Sequence, residues 1–146
     1  MRQFLTALPV RILMPVLLYG LIFCLTEYPG ASPSETEKGI QQIGDPKGWI
    51  SETAPYLNTV FRTSAHFFLF GLLGVSLYFL FKANFSFKTN TFLVVMGLVA
   101  FLGFFDEVHQ HFVPNRHPKI TDIALDTLGA FVLVGTACLV AKKKSG

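Results

Sequence analysis

Long apolar runs, separated by short polar stretches, dominate the chain. The first block runs from about Leu8 to Thr26 and the second from about Thr63 to Phe81. The third covers about Thr91 to Phe105, and the fourth about Ile123 to Ala141. The apolar residues lie in continuous blocks rather than in amphipathic periods, the pattern of helices set in lipid. A bilayer-spanning helix needs about 20 residues. The second and fourth blocks meet this, and the third does so if its helix runs on through Asp106 and Glu107. The first contains Arg11, close enough to its end to snorkel to the interface. The pattern predicts an all-α, multi-pass transmembrane four-helix bundle, a single domain over residues 1–146. Its helices are expected at about 8–26, 63–81, 91–111 and 122–141, with one long outer loop at about 28–61.

Composition agrees. Half of the residues (51%) are hydrophobic and only 14% are charged, against about a quarter in soluble domains. The net charge of +3 raises the question of nucleic acid, but no segment joins a basic face to exposed aromatics, so that class is excluded. Cys24 and Cys138 show no CxxC or metal-type spacing. On the expected topology they lie near opposite faces of the membrane, too far apart for a bridge that needs Cα atoms within about 7 Å.

Charge layout sets the orientation through the excess of lysine and arginine on cytoplasmic flanks. With both termini in the cytoplasm, that side holds Arg2, Arg11, Lys82, Lys88, Lys142, Lys143 and Lys144. The outer segments, which are much longer, hold Lys38, Lys47, Arg62, Arg116 and Lys119. Every carboxylate and every histidine then falls on the outer side. The expected place is the cell membrane. An alternative for the first block is a cleaved signal peptide, with Gly30-Ala31-Ser32 as small residues for a peptidase. Tyr28-Pro29 argues against it, and retention of the helix is the favoured expectation. In the loop, Ser34 and Glu37 have capping-box spacing and predict a short helix from Glu35. Trp49 and Tyr56 suit a membrane interface.

One stretch differs from the rest, Asp106-Glu107-Val108-His109-Gln110-His111-Phe112-Val113-Pro114-Asn115-Arg116. If the third helix continues, Asp106 and Gln110 share a face at i,i+4, and Glu107 neighbours Gln110 at i,i+3. Thr121 or Asp122 can cap the fourth helix, with Asp126 one turn deeper. Arg62 and His66 sit at the outer end of the second helix, also at i,i+4. Three helices thus bring acid, base and imidazole to one level. Ionisable groups in membrane helices are costly, so they face a bundle interior, pair, and mark function. Arg116 is the expected partner of Glu107, Asp122 or Asp126. The plain alternative is an arginine–carboxylate network that only pins helix ends. A metal held by His66, Glu107 and His109 has no diagnostic spacing behind it, and neither a metal nor a cofactor is expected.

These residues resemble the signature of the VanZ-like family: Glu-x-x-Gln-x-Phe, then Arg, then Asp-x-x-x-Asp/Asn-x-x-Gly. Here it falls on Glu107, Gln110, Phe112, Arg116, Asp122, Asp126 and Gly129. His66-Phe67 followed by Gly71 to Gly74 resembles the family's earlier motif, so the likeness spans roughly Arg62 to Gly135. There are departures. Thr63 stands where the family often has lysine, Leu69 where it often has an acid, and Asn115 where glycine is common. The resemblance implies a bacterial envelope protein, in a family named for a member linked to teicoplanin resistance.

Two function classes follow. In the first, the protein binds an envelope lipid, a lipid-linked envelope precursor or a glycopeptide at the outer leaflet. The binding set is Arg62, His66, Glu107, Gln110, Arg116, Asp122 and Asp126, with the arginines forked onto phosphate or carboxylate. In the second, it is a membrane-embedded enzyme acting on a lipid head group. Glu107 or Asp106 is then the general base and His66 or His109 its partner. A transporter needs more than four short helices, which only a homo-oligomer supplies.

Overall fold

The computed structural model describes residues 8–27, 38, 49–84, 90–113 and 119–143. Four long helices follow one another: α1 Leu8–Glu27, α2 Trp49–Asn84, α3 Thr91–Gln110 and α4 Ile120–Lys143. Each carries a segment long and apolar enough to cross a membrane: Leu8–Leu25, Thr59–Asn84, Thr91–Gln110 and Ile120–Lys143. The chain is a multi-pass membrane protein built as a four-helix bundle.

The helix boundaries differ from the sequence expectation in two places. α2 starts at Trp49, so the last third of the segment read as a loop is helical. Apolar blocks mark where a chain meets lipid, whereas helical hydrogen bonding carries on past that level into water. At 36 residues α2 is about 54 Å long, well beyond the ~30 Å apolar layer. α4 starts at Ile120, which places Thr121 and Asp122 inside its first turn instead of at the cap. The turn closes when the Asp122 N–H donates to the Lys119 carbonyl at 2.8 Å. The third helix does run on through Asp106 and Glu107, to Gln110. Asn90 caps it, its Oδ1 accepting the Phe92 N–H at 3.0 Å. The capping-box expectation at Ser34 and Glu37 lies outside the described residues.

Inside lipid, helices gain little from hiding apolar surface and associate through close packing of small residues. That is how α2 meets α4. Gly129 lies so close to the Phe67 backbone that an added Cβ would collide with the Phe67 carbonyl. Gly71 faces Leu133 and the Gly129 carbonyl, and Gly74 faces Ala130 and Val134. Contacts advance in the same sense along both helices, so α2 and α4 run parallel, with α3 antiparallel beside them. The apolar core (Phe70, Leu73, Leu77, Tyr78, Val95, Val99, Ala130 and Val134) fills the space between these three helices. α1 is peripheral. Its Ile22 reaches the core, while Leu13, Met14, Val16 and Leu17 are exposed toward lipid. Lys82 ends α2, and Lys142 and Lys143 end α4, at the same end of the bundle. Cationic side chains there complement the helix C-termini. The acidic residues of α3 and α4 gather at the opposite end.

Candidate functional site

At that opposite end four polar side chains are buried among the described residues: Asp106, Glu107 and Gln110 on α3, and Asp126 on α4. Local helix geometry assembles the α3 set, since positions 106, 107 and 110 share one face. The Gln110 Nε2 donates to Asp106 Oδ2 at 2.7 Å and, more weakly, to Glu107 Oε1 at 3.4 Å. The other Glu107 oxygen, Oε2, accepts the backbone N–H of Lys119 at 2.6 Å. Glu107 therefore ties the end of α3 to the residue that precedes α4.

Asp126 is fully buried and meets α2. Its Oδ1 lies 3.1 Å from His66 Nδ1. A carboxylate offers only lone pairs, so Nδ1 carries the hydrogen; Nε2 accepts when the ring is neutral and donates when it is protonated. The ring also stacks near Phe70, with centroids 6.1 Å apart. The second Asp126 oxygen, Oδ2, faces Gly103 of α3, where a Cβ would sit 3.1 Å away. Among the described residues Oδ2 has no hydrogen-bond donor. Arg62, one turn from His66 toward the same end, is half-buried and within electrostatic reach of Asp122 and Glu107. Asp122 itself is half-exposed, and its Oδ1 accepts the Thr121 hydroxyl at 3.3 Å.

The structure thus brings together Arg62, His66, Asp106, Glu107, Gln110, Asp122 and Asp126. Asp126 pairs with His66, a partner the sequence reading did not name. Arg116, expected to bind, lies outside the described residues, as does His117. His109 points elsewhere: its ring packs on Phe23 of α1 with centroids 4.3 Å apart. His111 is exposed. Among the described residues no three histidine, cysteine or acidic side chains are grouped to hold a metal.

The sequence reading missed what α1 contributes. Tyr19 donates its hydroxyl to the Leu102 carbonyl of α3 at 3.4 Å, one turn from Asp106. Tyr19 and Phe23 are spaced i,i+4, the one aromatic pattern in an otherwise uniform block, and that spacing was the available signal. Next to the cluster, a groove of about 410 Å³ opens between the end of α3 and the start of α4. Glu107 and Lys119 line its polar part, and Phe104, Val108, Phe112, Ile120 and Ile123 its apolar part. Ile120 and Ile123 also line an adjoining apolar groove that follows α4 to Phe131. A site of this kind offers acceptors at a buried end and a hydrocarbon-like trough beside them.

A family model described as VanZ/LLP1 matches residues 11–141, so the likeness includes the first helix as well as the three that carry the polar motifs. No curated protein and no solved structure matches the chain.

Proposed function

Because the chain belongs to the VanZ/LLP1 family, we propose that it is an envelope membrane factor that binds the head group of a membrane lipid or lipid-linked envelope precursor at the outer leaflet. The observation that carries this reading is the groove in which buried Glu107 meets apolar walls. An amphipathic ligand has the same two parts in the same order. Glu107 and Lys119 sit where a head group would enter, and the trough along α4 toward Phe131 runs alongside a hydrocarbon chain. The polar end is outermost when both termini are cytoplasmic, the orientation favoured by the lysines at the ends of α2 and α4. Such a factor would alter how teicoplanin or a related glycopeptide meets its lipid-linked target, and the proposal extends to that phenotype.

A second reading has an observation of its own. The Asp126–His66 pair holds an imidazole with Nε2 available, the arrangement of a general base. On that reading the protein is a membrane-embedded enzyme acting on a lipid head group. One experiment separates the two. Purified wild type and Glu107→Gln are incubated with labelled undecaprenyl lipids and phospholipids. Saturable binding with no product, weakened in the variant, supports the binding factor. Product formed by wild type and lost in the variant supports the enzyme. If wild type neither binds nor converts any of these lipids, both readings fail.

A further inference from the structure

We infer that the trough along α4 holds one unbranched hydrocarbon chain of an outer-leaflet lipid, a chain one leaflet long, rather than the polyprenyl tail of a carrier-linked precursor; this rests on the lipid-binding reading above.

The trough is a stripe on one helix face. Ile120, Ile123, Ala124, Thr127, Leu128 and Phe131 line it, spaced three and four residues apart, so their side chains lie above one another. Ala124 and Thr127 are its small members and form the floor between larger neighbours. Thr127 is the one polar side chain of the stripe, and its hydroxyl donates to the Ile123 carbonyl at 2.8 Å. That bond leaves no donor for a ligand, so the stripe suits hydrocarbon. Its outer end is continuous with the groove of Glu107 and Lys119, through the shared Ile120 and Ile123.

The inner end meets a step. Phe131 packs edge-on against Phe92 of α3, with ring centroids 5.6 Å apart and planes at 76°, which fixes the ring in place. It lies roughly 16 Å from Ile120 at the helical rise, half of the ~30 Å hydrocarbon layer. The membrane-crossing segment of α4 runs from Ile120 to Lys143, and Phe131 stands at its middle. The trough therefore begins at head-group level and stops at the midplane, the depth of one outer-leaflet chain. Its volume of about 500 Å³ is that of a small-ligand site. A polyprenyl tail is longer than a leaflet is deep, so it would strike the Phe131 step and turn out into lipid. Its methyl branches also need width at every unit, where an unbranched chain keeps one narrow cross-section.

A chain that leaves bulk lipid for an apolar wall gains little from exclusion of water, so fit decides the preference. A tail bent away at the step forfeits on the order of ten carbon–carbon contacts, which predicts roughly fivefold weaker binding.

The test titrates full-length protein, in micelles of a steroid-based detergent that has no alkyl chain to compete, with hexadecyl phosphate and with undecaprenyl phosphate. Both carry the same phosphate monoester, so only the chains differ. Wild type should bind hexadecyl phosphate about fivefold more tightly. Phe131→Ala removes the step and should bring the two affinities together. Ala124→Phe fills the floor and should weaken hexadecyl phosphate toward the level of the polyprenyl ligand. Equal affinities in wild type, or tighter binding of undecaprenyl phosphate, overturn the chain assignment and leave lipid binding standing. No saturable binding of either ligand overturns both. The comparison of the two chains uses wild type, so it decides the matter even if a variant fails to fold.

Discussion

Glu107 Oε2, near the end of α3, accepts the backbone N–H of Lys119, just before α4, at 2.6 Å. A side chain from one helix thereby satisfies a donor at the start of the next, where the unpaired N–H groups of a helix end also favour negative charge. Glu107→Ala removes that acceptor and should lower stability by about 1–3 kcal/mol. Glu107→Gln keeps a carbonyl oxygen in the same place and should lose less. Thermal unfolding in detergent reads both, and an alanine variant that melts with wild type would show that the bond contributes nothing.

The parallel contact of α2 with α4 depends on Gly129. A methyl group there meets the Phe67 carbonyl, and backbone yields less readily than a side-chain tip. Gly129→Ala should therefore cost about 1–3 kcal/mol or more. Gly97, on the lipid side of α3, has nothing within 4 Å of an added Cβ. Gly97→Ala should keep full stability, since alanine is the better helix former. Equal melting temperatures for the two variants would contradict the packing described.

Arg62 on α2 lies within electrostatic reach of Asp122 on α4. Both are only half-buried, so solvent screening should keep their coupling at or below about 1 kcal/mol. A double-mutant cycle with Arg62→Ala and Asp122→Ala measures it in detergent. Additive single effects would place the two charges in separate surroundings.

Much of this was legible in the sequence. Block length and hydropathy are enough to place four helices, because lipid demands continuous apolar surface. The pairing of Gln110 with Asp106 and Glu107 followed from i,i+3 and i,i+4 spacing alone. The start of α2 at Trp49 was not legible, since a helix in water needs no apolar run. Nor was the His66–Asp126 pair, which joins residues 60 positions apart. That bond depends on which faces of α2 and α4 meet, and the close approach at Gly129 decides it. Tyr19 and Phe23 were hidden in a helix that looked like a plain anchor.

Orientation is open to a direct check. Alkaline phosphatase fused after Gly146 should be inactive, and fused near Trp49 it should be active, if the lysine-rich end is cytoplasmic. The opposite pattern would move the polar end to the cytoplasm. Cys24 and Cys138 are free thiols. A thiol reagent applied after denaturation without reductant should modify both, and a mass showing neither modified would contradict the bundle.

The central claim is that the buried polar end is a ligand site and not only a clamp on the helix ends. Native mass spectrometry of the protein released from micelles tests it most directly. Wild type should carry a lipid adduct that survives release, and Glu107→Gln, at matched folded fraction, should lose it. The same adducts in the same proportion on both proteins would contradict the account and leave the cluster a structural clamp.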